Sequence, residues 1–211
     1  LEATDVKGLI LSLCDYTGNW SRPYEEADYE VVRVDLQNGG DVRLLRWIDR
    51  PVHGILAAPP CTHFSRAGAL WWRGKGEGAI LEGLSTVDAC LRAVAIYRPT
   101  WWALENPVGR LKDYLGPAQW GFQPYQFGDP YHKRTWLWGH FTPPVPLFSA
   151  QARCQVAPTH SAPGGIWGGL KKAHLPSYRC PDRMNLAGSI RKNERSVTPP
   201  GFAQAFFEAN P

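Results

Sequence analysis

Gly54-Ile-Leu-Ala-Ala-Pro-Pro-Cys61-Thr-His-Phe-Ser65 is a short apolar run that ends in two prolines, a cysteine and a polar turn. The pattern reads as a buried strand that delivers a thiol to the C-terminal edge of a sheet. That edge is where open α/β sheets put their ligands. Pro59 and Pro60 fix φ just ahead of Cys61 and remove two backbone donors, which holds the thiol in one orientation. Taken alone, the stretch serves equally well as a turn carrying a core cysteine, because cysteine is among the most buried residue types.

Upstream, Gly8-Leu-Ile-Leu-Ser-Leu-Cys14 reads as a strand, Asp15-Tyr-Thr-Gly-Asn-Trp-Ser21 as a polar turn, and the residues around Tyr24 to Ala27 as a short helix. Glu30-Val-Val-Arg-Val-Asp35 is a second strand ending in an acid. Strand, glycine turn, helix, strand and acid is the order in which Rossmann-like folds seat a nucleoside. The signal is weak by itself, since one glycine is not a GxGxxG and an Asp at a strand end is commonly a solvated turn residue. Gly39-Gly40-Asp41-Val42 follows, and the apolar spacing through Leu44, Leu45, Trp47 and Ile48 predicts a short helix leading into the Cys61 strand.

Downstream, Arg66-Ala-Gly68 and Arg73-Gly-Lys-Gly-Glu-Gly78 form a basic, glycine-rich loop, either a lid or a solvated surface loop. A helix is expected from about Ser85 to Tyr97, capped by Ser85 and stopped by Pro99, with Val87, Leu91 and Val94 on one face. Trp101-Trp-Ala-Leu-Glu105-Asn-Pro107 is another buried strand, and its terminal Glu is not explained by packing. Burying such a charge costs several kcal/mol unless it has a partner.

The chain of 211 residues suffices for one domain with a full core, and 44% apolar residues with ten tryptophans exclude a disordered or low-complexity protein. A formal charge of +4 permits a nucleic-acid partner without demanding one. No apolar run approaches the roughly 18 residues of a membrane span. With no basic-then-apolar leader at its start, the chain is expected to be a soluble monomer in the cytoplasm of a bacterial or phage-infected cell. Five cysteines at irregular spacing do not make a disulfide framework.

In order along the chain, these motifs resemble the DNA cytosine-5 methyltransferases in compact form. Pro59-Pro60-Cys61 with Phe64-Ser65 resembles the family's nucleophile motif, and Glu105-Asn106-Pro107 its second catalytic motif, where valine is more usual in third place. Tyr16-Thr17-Gly18 is similar to the aromatic-x-Gly of its S-adenosyl-L-methionine loop, Asp35 falls at its ribose acid, and Gly40-Asp41-Val42 matches its Gly-Asp-Ile. Phe127-Gly-Asp-Pro130-Tyr-His-Lys133-Arg134-Thr135 resembles its Tyr-Gly-x-Pro-Gln-x-Arg-x-Arg stretch. Ser196-Val-Thr-Pro-Pro200, with a helix from Phe202 to Ala209, is similar to its closing motif. The resemblance covers most of residues 8 to 145 and 194 to 211.

The fold so implied is α/β, a Rossmann-like S-adenosylmethionine-dependent methyltransferase sheet with a small loop-rich insert. The catalytic and cofactor-binding part would span 1–144, a target-recognition insert 145–193, and a segment returning to the catalytic part 194–211. The family route uses Cys61 as the thiolate that adds to cytosine C6, Glu105 as the acid beside N3 and the exocyclic amine, and Arg134 with Lys133 as the orienting cations. By the same resemblance, Asp15, Tyr16, Thr17, Gly18, Asn19, Trp20, Asp35, Leu36, Asp41, Val42, Pro59 and Ser196 would hold S-adenosyl-L-methionine. Pro60, Ser65, Arg66, Asn106 and Pro107 would contact the substrate.

Several positions depart from the family pattern. Trp20 stands where the cofactor loop usually has glycine, only five residues separate Asp35 from Asp41, and Lys133 and Thr135 occupy the two arginine positions. The implied partner is DNA with its cytosine flipped out or in a single strand, because a stacked base cannot present C6 to a thiol. A basic run from Lys171 to Arg195 would contact phosphates or form a solvated face. Cys154, His160, His174 and Cys180 are soft ligands at a spacing unlike a standard zinc finger, and no metal is assigned. Alternatives are an RNA cytosine or free nucleotide as substrate, a non-catalytic nucleic-acid-binding protein with a degenerate cofactor site, and a nicotinamide oxidoreductase. The last gives Cys61 and Glu105 no joint task.

Overall fold

A computed structural model describes residues 6–129, 133–147 and 197–211. Six strands make one sheet: β1 (Leu9–Leu13), β2 (Glu30–Val34), β3 (Gly54–Ala57), β4 (Trp101–Pro107), β5 (Trp120–Phe122) and β6 (Thr135–His140). Their order is β2-β1-β3-β4-β6-β5. The first four are mutually parallel, and β6 runs antiparallel between β4 and β5. The helices are α1 (Arg22–Glu26), α2 (Gly76–Tyr97), α3 (Lys112–Leu115) and α4 (Pro200–Ala209). This is an α/β fold with a Rossmann-like sheet, as the alternation of strand and helix patterns predicts.

The sheet is covered on both faces, which is why its central strands read as unbroken apolar runs. All five residues of β1 are buried. Leu9, Leu11 and Leu13 join Ile55, Ala57 and Leu104 in one core, beneath Val87, Cys90 and Ala93 of α2. Ile10, Leu56, Ala103 and Leu137 point the other way, into a core closed by Trp20 and Tyr24 and by Phe202 and Phe206 of α4. The C-terminal segment is tied in by polar contacts as well. The Tyr24 hydroxyl donates to the Asn210 carbonyl at 2.8 Å, and the Thr142 amide donates to Asn210 Oδ1 at 2.7 Å. The Asp129 carboxylate lies beside the backbone amides of Gly201 and Phe202, at the open N-terminus of α4. Burial pushes this carboxyl above its ordinary value, against the opposing pull of those two amides.

Two sequence expectations are corrected. Helix α2 starts at Gly76, and Ser85 lies inside it, its hydroxyl donating to the Glu82 carbonyl at 2.7 Å instead of capping. The reason is tertiary: Gly83 packs against the Phe64 ring, and Leu84 packs on the core. The expected glycine loop from Arg66 to Gly78 is therefore a 3₁₀ segment, Arg66–Trp71, followed by the first residues of α2. Likewise the segment through Leu44 and Ile48 is not a helix. Only Val42–Leu44 forms a 3₁₀ turn, because so short a piece does not repay helix nucleation. Leu44 and Trp47 are exposed, and Trp47 stacks on Tyr97 with centroids 5.5 Å apart. A further 3₁₀ turn, Leu36–Asn38, fills the short interval between Asp35 and Asp41. Cys154, His160, His174, Cys180, Ser196, the basic run from Lys171 to Arg195 and nearly all of the 145–193 insert lie outside the described residues. No described helix is long and apolar enough to cross a membrane.

Candidate active site

The strand order reverses direction between β1 and β3, so the crevice beyond their C-terminal ends is the switch point at which open α/β sheets bind ligands. On one side of it stands the loop after β1. Cys14 takes a left-handed backbone conformation (φ 60°), and its amide donates to the Val34 carbonyl at 2.8 Å. The buried Asp15 carboxylate then gathers the loop, accepting from the Ser12 hydroxyl at 2.9 Å and from the Ser21 hydroxyl and amide at 3.1 and 3.3 Å. Gly18 has φ 68°, and a Cβ there would meet the Arg33 guanidinium at 2.6 Å. Thr17 Oγ1 accepts from the Asn19 amide at 3.4 Å, and Asn19 Oδ1 from Arg22 at 3.1 Å. These residues shape the loop, while Tyr16 is exposed on it.

Trp20 departs from the expectation placed on it. It is fully buried and packs edge-on against Phe206 at 5.5 Å and tilted against Phe202 at 6.0 Å. Its side chain is thus core and is withdrawn from the crevice.

The other side of the crevice is built by the ends of β2 and β3. Asp35 Oδ1 accepts from the Gln37 amide at 2.8 Å, and Leu36 beside it is 65% exposed. Asn38 Nδ2 donates to the Tyr16 carbonyl at 3.4 Å, joining the two loops. Asp41 is held by Arg43 in a two-pronged pair, which lowers its carboxyl from the ordinary value; the hydrogen bond from the Arg43 side chain is the main cause. Val42 is buried in the core. Asp35 thus stands at the end of β2 with one oxygen uncommitted to the turn, between the exposed Leu36 and Tyr16.

The Cys61 loop is densely bonded to its neighbours at this edge. Pro59 is buried and its carbonyl accepts from Asn106 Nδ2 at 2.9 Å; Pro60 is exposed and Cys61 half-buried. Every carbonyl from Cys61 to Phe64 is occupied. Cys61 O accepts from the amides of Phe64 and Ser65 at 3.0 and 2.9 Å, Thr62 O from Lys75 at 2.6 Å, His63 O from Arg110 Nε at 2.8 Å, and Phe64 O from the Arg110 amide at 2.9 Å. Ser65 bridges Gly109, and the Arg66 amide donates to Val108 O at 3.0 Å. The Arg66 side chain is exposed. Gly109 admits this contact because a Cβ there would lie 1.9 Å from Phe64 O.

Glu105 and Asn106 are adjacent residues of β4, and the parallel pairing of Ala57 with Leu104 brings the end of β4 beside the end of β3. Sheet geometry therefore sets the Cys61 loop and Glu105 at one edge. Glu105 is 5% exposed, and Lys133 Nζ lies 3.4 Å from its Oε1, which accepts no hydrogen bond. Pro107 is half-buried and pairs with Thr135. The two expected cations separate: Lys133 faces Glu105, whereas Arg134 is exposed and lines a different cavity, beside β5. Asn106 commits its amide nitrogen to the Cys61 loop, while its Oδ1 has no hydrogen-bond partner.

Arg110, Lys75, Gly109 and His63 are site residues that the motifs did not single out. The Arg110 guanidinium lies 4.7 Å over the Trp72 ring while it holds His63 O. Burial first, then the Lys75 cation, keeps His63 below the usual imidazole value, so it is neutral at pH 7. The only hint in sequence was a Gly-Arg pair after Glu105-Asn-Pro-Val, which says nothing until β4 lies beside β3. The Cys90 thiol is pushed well up by its hydrogen bond with Cys14 and by burial, which leaves it unreactive. Among the described residues no cluster of three metal-binding side chains occurs.

Fold and site together give a Rossmann-like α/β domain whose sheet edge carries Asp35, the Cys61 loop and the buried Glu105 carboxylate. No protein-family model matches the chain, and no curated protein matches it. Among solved structures it is similar to the crystal structure of a prophage-encoded protein of E. coli assigned as a DNA modification methyltransferase, at a TM-score of 0.49 and 15% identity over 64% of this chain. The match covers 47% of that protein, so this chain spans about half its length.

Proposed function

We propose that this chain transfers a methyl group from S-adenosyl-L-methionine to C5 of cytosine in DNA. The observation that carries the reading is Glu105, a buried carboxylate at the C-terminal edge of the sheet whose Oε1 has a cation 3.4 Å away and no hydrogen bond. A buried acceptor left open at a ligand edge, beside a loop that presents a thiol, asks for a substrate with an adjacent donor and an electrophilic carbon. The exocyclic amine and C6 of cytosine supply both.

In this reading Asp35, Leu36 and Tyr16 hold the adenosine part of the cofactor, with Asp15 and Gly18 shaping the loop against it. The bound cofactor supplies an electrophilic methyl group. Cys61 Sγ forms a bond to C6, and Glu105, carrying a proton, gives it to N3 as charge develops there. The electron pair so placed at C5 would take the methyl group as its bond to the cofactor's sulfur breaks, releasing S-adenosyl-L-homocysteine. The C5 proton then leaves to water, the N3 proton returns to Glu105, and the C6–S bond breaks to restore the thiolate and the aromatic ring. Lys133 orients Glu105, and Asn106 with Arg110 holds the loop that aims Cys61. Pro60, Ser65, Arg66 and Pro107 border the base.

Trapping on DNA that carries 5-fluorocytosine tests the reading, because fluorine cannot leave as a proton does. The expected outcome is an adduct that survives denaturation, requires S-adenosyl-L-methionine and is absent in Cys61→Ser. An adduct formed without the cofactor, or one that persists in the serine variant, overturns it. An adduct on RNA but not on DNA moves the substrate to RNA.

A further inference from the structure

Beyond Glu105 the sheet carries a second recess. Edge strand β5, the 3₁₀ turn Pro124–Phe127 and the start of β6 enclose a cavity of about 270 Å³, walled by Gln123, Gln126, Arg134, Trp136 and Gly121 among others. Trp136 pairs with Asn106 on one side and Gly121 on the other, so the cavity opens at the same sheet edge as Glu105, one to two strands away. At about 4.8 Å between strands, that is on the order of 10 Å. Small-molecule pockets begin near about 300 Å³, so this one suits a single heterocycle.

Its side chains offer mainly donors, with the buried Gln123 Oε1 as an acceptor among them. Arg134 is exposed and makes no ion pair among the described residues. Gln126 has its carbonyl oxygen committed to the Gln123 amide at 2.6 Å, which leaves its NH₂ to donate. Trp136 offers an indole N–H and a ring, and Gly121 leaves that ring uncovered, since a Cβ there would press on Trp136 at 2.9 Å. None of the described lining residues is acidic. A donor-rich, cationic recess with an aromatic wall complements a planar ring bearing adjacent acceptors. Among nucleobases that ring is guanine, whose O6 and N7 take the arginine fork.

We infer that this cavity receives a guanine neighbouring the target base in the same strand, with Arg134 as the residue that selects it. The inference rests on the nucleic-acid reading above and adds a specificity determinant within the catalytic sheet. A strand that presents one base to Glu105 carries the next one or two bases past Arg134.

The test uses the full chain and single-stranded oligonucleotides with one cytosine and varied neighbours, read by fluorescence anisotropy, which needs no turnover. One neighbouring position is expected to prefer guanine over adenine by about tenfold, the low end for a bidentate arginine contact. Inosine, which keeps O6 and N7, should replace guanine; 7-deazaguanine should not. Arg134→Ala should abolish the preference, and Arg134→Gln should turn it toward adenine. Trapping on 5-fluorocytosine without any preference for a neighbouring guanine refutes the cavity's role and leaves the proposed reaction standing. A guanine preference unchanged in both Arg134 variants also refutes it. Binding with the expected preference but no adduct supports the cavity and refutes the covalent reaction.

Discussion

Gly109→Ala tests most directly how the fold aims Cys61. The added Cβ would stand 1.9 Å from Phe64 O, 2.7 Å from its carbonyl carbon and 2.9 Å from Ser65 Cα, whereas real Cβ contacts stay above 3.0 Å. All three atoms are backbone, so no side chain can swing away, and the Phe64 carbonyl has to retreat by at least about 1 Å. That motion strains the Arg110–Phe64 hydrogen bond and the Ser65–Gly109 bridge, which hold the nucleophile loop against the end of β4. Overpacking of this kind costs typically 1–3 kcal/mol, and about 3 is expected against rigid backbone. For a domain of this size, each kcal/mol shifts Tm by roughly 2–4 °C, so Tm should fall by about 6–12 °C. A displacement near 1 Å at a reacting group costs about a hundredfold in rate. Thermal denaturation followed by circular dichroism gives the first quantity, and single-turnover transfer of a tritiated methyl group, measured well below the lowered Tm, gives the second. A variant with the wild-type Tm and the wild-type rate would refute both the loop geometry and the aiming role assigned to it.

Other substitutions separate the remaining roles. Glu105→Gln keeps an acceptor for the exocyclic amine but cannot give a proton to N3, so single-turnover methylation should fall by about a hundred- to ten-thousandfold while DNA affinity changes by no more than about 1 kcal/mol; an unchanged rate would return Glu105 to a structural role. Asp35→Ala should weaken S-adenosyl-L-methionine by on the order of 2 kcal/mol in calorimetry, because a ribose loses its hydrogen bonds to a charged acceptor; equal affinity would show that the acid does not hold the ribose. For Asp129 the sign follows from its raised carboxyl. The folded state binds that proton more tightly than the unfolded one, so the group's contribution favours folding below the ordinary value of 3.8 and is lost as pH rises through the raised folded value. Asp129→Asn keeps the size of the side chain and a polar oxygen beside the Gly201 and Phe202 amides without the desolvated charge. Its Tm should exceed that of the wild type at pH 7 and converge on it near pH 4, and a lower Tm at neutral pH would reverse the argument.

Strand identity and order of chemistry were already determined by the sequence. Apolar runs such as Leu9–Leu13 and Gly54–Ala57, punctuated by Pro59-Pro60 and by Asp35, specify buried parallel strands because no other local structure hides so much apolar surface between turn signals. Glu105 could be singled out because packing alone would not put a charge at the end of an apolar strand, and Cys61 because two prolines fix the chain ahead of it at the sheet edge. Only the tertiary structure decided the roles of residues whose partners are distant in the chain. Trp20 reads as a cofactor-loop residue until Phe202 and Phe206, from the far end of the chain, bury it. Gly83 and Ser85 read as the approach to a helix until Phe64 and the core extend α2 back to Gly76. Lys133 and Arg134 are indistinguishable as neighbours, yet one faces Glu105 and the other lines the recess beside β5, because successive side chains of an extended segment point to opposite sides. Arg110 and Gly109 gained their function only when β4 was laid beside β3. Local pattern encodes which residues are buried and which are reactive, whereas direction and partnership come from contacts between strands and helices that the sequence keeps far apart.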